Sequence, residues 1–327
     1  MAVYGIKGET NRIRLEEHIP LATPMRVLME VSSYCNFHCS FCPHGNGEAM
    51  KLMPQAIMDT SLAEKCIHEL KGFDEKVRVL AFACYGEPLI NRYIGRIIKS
   101  AHDHDVAEKY EITTNASLLT KELAEELIGS GISIINISIY GLSELEYKSF
   151  SGVTIAFDEL VGNIAFLYAI RANAQVVIKI SDATCKKDEQ REQFNRIFSS
   201  ICDKICIEHA VPLWYEFGDN ESELDIYGKQ VVRKEVCPIP FFTLAINANG
   251  IVSPCCNDWK QKLRMGDANK DSIVSIWNGA RYRELHKSLL SEGTKSLSPC
   301  RDCRYHELVA MDNIDLHREM LLRKYED

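Results

Sequence analysis

Three cysteines stand together early in the chain, Cys35, Cys39 and Cys42, in a Cys-x3-Cys-x2-Cys frame that follows the apolar run Met25 to Val31. Three thiolates on one loop hold three irons of a four-iron cluster and leave the fourth open to an outside ligand. A cluster that only carries electrons is usually closed by four cysteines. A zinc knot is the competing reading, because Cys-x2-Cys pairs also bind zinc. A second group lies far along the chain: Cys237, Cys255 and the pair Cys300-x2-Cys303, with Cys256 beside Cys255. Four such thiols suit either one zinc or a closed four-iron cluster, and spacing alone does not choose. The remaining Cys66, Cys84, Cys185, Cys202 and Cys206 read as small buried hydrophobes.

The elements that must position these groups follow from composition and pattern. The chain has 327 residues, 46% hydrophobic and 26% charged, with a net charge of −8. That is enough for one large domain with an appendage, or two domains, around a full core. The acidic balance argues against a nucleic-acid partner. No apolar run approaches the roughly 20 residues of a membrane helix, and the N-terminal residues lack the apolar centre of a signal peptide. Thirteen cysteines gathered in groups fit a reducing compartment, so a cytoplasmic location is expected.

Residues 1–24 read as a lead-in arm, broken by Pro20 and Pro24. After Met25 to Val31, with Gly45 and Gly47 holding the next stretch as loop, strand and helix patterns alternate. Strands are expected at Lys76 to Ala83, Tyr110 to Thr114, Ile132 to Tyr140, Gln175 to Ser181 and Lys204 to Ala210. Helices are expected after the cap Asp59 to Leu70, over Arg92 to His102, after Thr120 to Ile128, over Phe157 to Ala172, and over Gln190 to Cys202. Six strands alternating with such helices imply right-handed crossovers and a parallel sheet. Ligands bind at the C-terminal strand ends of such sheets. The cysteine loop, Cys84-Tyr-Gly-Glu-Pro88, Thr114-Asn-Ala-Ser117 and Ser138-Ile-Tyr-Gly141 all fall at that edge.

The cysteine frame, with Phe41 before its third member, resembles the signature of the radical S-adenosylmethionine (SAM) enzymes. The resemblance implies an α/β fold, a partial (β/α)6 TIM-like barrel over residues 25–230. It also implies an open-site [4Fe-4S] cluster that binds and cleaves SAM to a hydrogen-abstracting 5′-deoxyadenosyl radical. Gly86-Glu87-Pro88 is similar to the family's Gly-Gly-Glu motif, with Tyr85 in place of the first glycine. By the same resemblance Gly86 and Glu87 meet the amino group of SAM, Asn115 and Ser138 its ribose or carboxylate, and Phe41 its adenine. Without the resemblance, Gly-Glu-Pro is a common turn and the two short polar residues are caps.

Within 231–307, Asn249-Gly250 between apolar runs reads as a hairpin turn that brings Cys237 and Cys255 together. Helices are expected from Ser272 to Gly279 and over Tyr282 to Leu290. This arrangement resembles the small SPASM and twitch auxiliary-cluster domains, most of all those of the 2-deoxy-scyllo-inosamine dehydrogenase type. The resemblance implies a second [4Fe-4S] cluster held by Cys237, Cys255, Cys300 and Cys303, with Cys256 spare, and a tail helix over 308–327. It further implies oxidation of a hydroxyl-bearing carbon of a sugar, cyclitol or nucleoside-like small molecule, with a flavodoxin- or ferredoxin-type protein as reductant. Peptide modification, as epimerisation or thioether formation, and redox-neutral sugar chemistry are the alternatives. Lys179, Glu208, His209, Tyr215 and Glu216 lie on or beyond the last strands, within reach of a substrate. None is singled out as the general base.

Overall fold

The computed structural model describes residues 3–4, 12–214 and 221–326. All six expected parallel strands form. They are β2 (Arg26–Met29), β3 (Val77–Phe82), β4 (Ala107–Thr114), β5 (Ile134–Ile139), β6 (Gln175–Ser181) and β7 (Lys204–Glu208). Each pairs parallel with the next. A short β1 (Val3–Tyr4) joins β7 at one margin. At the other margin β8 (Thr243–Ile246) lies parallel to β2 and is followed by antiparallel β9 (Ile251–Ser253) and β10 (Gly266–Asp267). The result is one ten-stranded sheet in the order β1-β7-β6-β5-β4-β3-β2-β8-β9-β10.

Alternation along the strands explains which side is packed. On β5, Ile135, Ile137 and Ile139 enter the main core with the helices, which turns Asn136 and Ser138 to the other, inner face. Leu28, Ala81 and Ala245, from β2, β3 and β8, form a small separate cluster with Val79, Cys84 and Cys256. The inner face therefore runs without interruption from the barrel strands to the cysteine-rich C-terminal part. Helix starts are capped as their sequences require: Asp59 accepts from Ser61 N at 2.8 Å, Thr120 from Leu123 N at 3.2 Å and Ser272 from Ser275 N at 3.1 Å.

Several local expectations are corrected. Residues 43–52 are a 3-10 turn (Pro43–Gly45) and a helix (Gly47–Leu52) rather than loop, because the Asn46 side chain caps Glu48 N and Ala49 N. A helix at Glu144–Ser151, started by Ser143, was not anticipated. The arm carries strand β1 and a helical turn at Leu15–His18, and it is tied to the far end of the chain through Trp277 Nε1–H to Leu21 O and Lys324 Nζ–H to Ile19 O. The tail is not one helix from 308 onward: helix occurs at Tyr305–Leu308 and again at Arg318–Arg323. Between them Lys234 Nζ draws on the carbonyls of His306 and Ala310, while the Asp315 carboxylate accepts from Glu235 N and Val236 N at 2.9 Å. Those contacts hold the intervening chain open.

Candidate active site

The three-cysteine loop leaves β2 and is stitched to the loop after β3. Glu87 N donates to Tyr34 O at 2.8 Å, and buried His44 donates from Nε2 to Tyr85 O at 3.1 Å. The approach is close enough that a Cβ on Gly86 would stand 2.1 Å from Ser32 O, so glycine is required there. Phe37 N–H points at Cys35 Sγ at 3.4 Å. Burial pushes the Cys35 thiol up to about 12 and Cys42 to about 11. It raises Cys39 as well, with the other two cysteines adding to the effect. The three thiols share one field, which an attached cationic group would offset.

Glu87 is only 3% exposed. Oε1 accepts from Leu89 N at 3.0 Å and Thr114 Oγ1 at 2.5 Å, and Oε2 accepts from Asn115 N at 2.8 Å. The carboxylate thus binds the end of β3 to the end of β4. Asn115 donates from Nδ2 to Asn36 Oδ1 at 3.0 Å and accepts from Ser117 N and Oγ, and Asn36 in turn donates to Ser117 Oγ at 2.8 Å. This ring fastens the cysteine loop to the β4 end. Phe41 is exposed and stacks on Tyr140, with centroids 6.1 Å apart and planes 13° apart. Ser138 lies on the inner face of β5, opposite Lys179 of β6. Sequence reasoning assigned no role to Asn36, His44 or Tyr140, although all three belong to the stretches it marked. Tyr140 lies in the field of Cys39, Cys35, Cys42 and Glu87.

In the second cysteine group the thiols act on one another. Cys237 is raised by burial and by Cys300 and Cys303, and Cys255 lies in the field of Cys237. The hairpin between β8 and β9 closes at Gly250, whose φ of +88° favours glycine. Asn257 donates from its backbone N to Cys255 Sγ at 3.2 Å and from Nδ2 to Cys303 Sγ at 3.3 Å. The Cys256 thiol stays in hydrogen-bond contact with Cys255, packs beside Leu28, Ala81 and Ala245, and meets Tyr305 Oη at 3.4 Å.

The inner face of the sheet is charged. Arg26 grips Glu111 with contacts of 2.8 and 3.4 Å, and Lys179 pairs with Glu208 at 2.9 Å. Buried Glu30 spans the halves, accepting from Tyr85 N at 3.3 Å and Ala248 N at 3.1 Å. Beyond β6 and β7, His209 Nδ1 lies 2.6 Å from Asp182. Tyr215 and Glu216 lie outside the described residues. Among the described residues, no three His, Cys, Asp or Glu side chains gather as a site for one metal ion, and no helix is long and apolar enough to cross a membrane.

Family models match the two halves of this arrangement: the radical SAM superfamily over residues 29–178 and SPASM, an iron-sulfur cluster-binding domain, over 237–304. The chain is a radical SAM enzyme with a SPASM domain. It is 22% identical over 276 residues to the S-adenosyl-L-methionine-dependent 2-deoxy-scyllo-inosamine dehydrogenase of Niallia circulans, a match covering 84% of this chain and 90% of that protein. The AdoMet-dependent heme synthase of Methanosarcina barkeri is 26% identical, but over 44% of this chain and 39% of its own length. Among solved structures, BtrN in complex with AdoMet and 2-DOIA aligns with a TM-score of 0.58 at 20% identity, covering 85% of this chain and 92% of that one. Streptococcus suis SuiB bound to precursor peptide SuiA aligns at 0.56 and 18% identity, covering 90% of this chain and 72% of that one. These likenesses establish a common fold.

The radical SAM and SPASM assignments imply SAM and [4Fe-4S] clusters, and the donor sets fit them. The first set is three thiols on one loop, held by a glycine-tight contact with the Gly-Glu-Pro turn. The second is four thiols, two of which receive N–H donors as cluster thiolates do.

Proposed function

We propose that this radical SAM enzyme oxidises a hydroxyl-bearing carbon of a small polar ring, a sugar or cyclitol, to a ketone. The observation that carries the reading is the inner face of the sheet. Ion pairs Arg26–Glu111 and Lys179–Glu208, with Asn136 and Ser138, line it with alternating donors and acceptors. Such a surface suits a molecule whose every edge carries a hydroxyl or amine. A relative that matches along almost its whole length acts on 2-deoxy-scyllo-inosamine, which supports the same class.

In this reading Cys35, Cys39 and Cys42 hold the first cluster, and Cys237, Cys255, Cys300 and Cys303 the second. The bound groups supply hydrogen abstraction at one side of the substrate and an electron acceptor at the other. Gly86 and Glu87 receive the amino group of SAM, Asn115 and Ser138 its ribose and carboxylate, and Phe41 with Tyr140 its adenine. Glu87, Asn36 and Asn115 keep the three loops in register, and Glu30 fixes the distance between the two halves. The working division is arm 1–24, barrel 25–230, auxiliary domain 231–307 and tail 308–327. A flavodoxin- or ferredoxin-type protein in the cytoplasm is the proposed electron source.

Peptide modification is the second reading, favoured by the alignment with a structure holding a precursor peptide. Anaerobic turnover with product analysis separates the two. The alcohol reading expects one ketone per SAM consumed, whereas a redox-neutral product or a modified peptide as the sole product overturns it.

A further inference from the structure

We propose that His209, held by Asp182, is the general base that takes the hydroxyl proton in this oxidation; the assignment rests on the dehydrogenase reading. Both residues sit just beyond the C-terminal ends of β6 and β7, the edge that also carries the cysteine loop. The Asp182 carboxylate is fixed from two sides: Oδ1 accepts from Ala210 N at 2.8 Å, and Oδ2 lies 2.6 Å from His209 Nδ1. The backbone is pinned as well, by Asp182 N to Glu208 O at 2.9 Å and His209 N to Ile226 O at 3.0 Å. A carboxylate can only accept, so Nδ1 of the neutral imidazole carries the proton and Nε2 presents a lone pair. An acid that orients an imidazole in this way also stabilises the imidazolium formed when Nε2 takes a proton.

Position and elimination single out this residue. The segment that His209 grips through Ile226 continues by Ile226 N to Leu308 O into the stretch that follows Cys300 and Cys303. Two backbone hydrogen bonds thus tie the dyad to the segment that follows the second cysteine group. Among the described residues, the other carboxylates named on the inner face are already committed. Glu111 is held by Arg26, Glu208 by Lys179, Glu30 by two backbone N–H groups and Glu87 by three donors. Buried His44 is spent on Tyr85 O. The His209 and Asp182 side chains remain 29% and 28% exposed, so the imidazole is not sealed in the core.

In the assigned step the substrate O–H bond breaks and its proton passes to Nε2. With SAM and the first cluster bound, one electron from that cluster would break the C–S bond of SAM and release methionine, and the carbon's hydrogen atom would go to the resulting 5′-deoxyadenosyl radical to give 5′-deoxyadenosine. A second cluster held by Cys237, Cys255, Cys300 and Cys303 would supply the acceptor for the remaining electron as the C=O bond forms. Hydrogen atom, proton and electron are then all accounted for.

The test uses the full chain with both clusters, SAM, a chemical reductant, and 2-deoxy-scyllo-inosamine deuterated at the carbinol carbon as probe. Deuterium in 5′-deoxyadenosine reports abstraction; ketone reports completion. In His209→Ala, deuterium transfer persists while ketone per 5′-deoxyadenosine falls about 100-fold or more, the range general bases contribute. Added imidazole restores ketone to this variant. In Asp182→Asn the ratio also falls, but imidazole does not restore it because His209 still fills the site. His209→Gln replaces the alanine variant if that chain loses its cluster absorbance. An unchanged ketone ratio in a variant that still transfers deuterium overturns the base assignment alone. No deuterium transfer in the wild type overturns the dehydrogenase reading for this alcohol, and the base assignment with it.

Discussion

Replacing Glu30 with glutamine probes how the two cofactor-bearing halves are joined. The carboxylate is 2% exposed and links Tyr85, beside the Gly-Glu-Pro turn, to Ala248 in the auxiliary hairpin. With two neutral N–H donors as its partners, burial outweighs hydrogen bonding and raises the carboxyl from 4.5 to about 7. Between those values the folded chain holds a proton that the unfolded chain has released. Stability from this site is therefore full below about pH 4.5 and is lost as pH rises through about 7. At about 1.4 kcal/mol per pH unit, the loss over that window is at most about 3.5 kcal/mol. Glutamine does not titrate, but its amide leaves one buried N–H without an acceptor, at a cost of about 1–3 kcal/mol. Anaerobic urea unfolding of both full-length proteins at pH 5, 6.5 and 8 should show the wild type ahead at pH 5, with the gap closing by up to about 3 kcal/mol at pH 8. A gap that stays constant across the three pH values refutes the argument.

Three further substitutions follow from the same contacts. Arg26→Met strips Glu111 of its guanidinium and should cost about 3 kcal/mol in urea unfolding, the lower end for a broken buried pair, because the Arg26 side chain is 29% exposed. Arg26→Met combined with Glu111→Leu should recover most of that loss. Asp315→Ala removes both caps on Glu235 N and Val236 N and should lower stability by about 1–2 kcal/mol, with protease sensitivity rising first near residues 309–314. Asn257→Ala removes the Nδ2 donor to Cys303 Sγ and should lower the reduction potential of the second cluster while leaving the first unchanged, as read by redox titration.

Much of this molecule was legible in its residues because the determinants are local. Alternating apolar runs marked all six barrel strands, Asp59, Thr120 and Ser272 marked helix starts, and Asn249-Gly250 marked the hairpin. The helix at 144–151 had its own signal, Ser143-x-x-Glu146 with Gly152 closing it at φ 73°, and was passed over. The continuous sheet was not legible, since the pairing of β8 with β2 joins residues more than two hundred positions apart by backbone bonds that no side-chain pattern records. The broken tail was hidden for a similar reason. Lys234 and Asp315 divert the backbone there, and neither contact is local. At the site, Glu87 and Asn115 were marked as binding residues. The structure shows that their polar atoms also serve to hold the three loops together.

The most direct test of the two-cluster account is the electron paramagnetic resonance of anaerobically reconstituted, reduced protein, with and without SAM, alongside iron and zinc analysis. The account predicts roughly eight irons per chain. Cys35→Ala with Cys39→Ala and Cys42→Ala should keep about four, with a spectrum indifferent to SAM. Cys255→Ala with Cys300→Ala and Cys303→Ala should also keep about four, with a spectrum that shifts when SAM is added. Colourless protein with stoichiometric zinc, or a SAM response that survives loss of Cys35, Cys39 and Cys42, would contradict it.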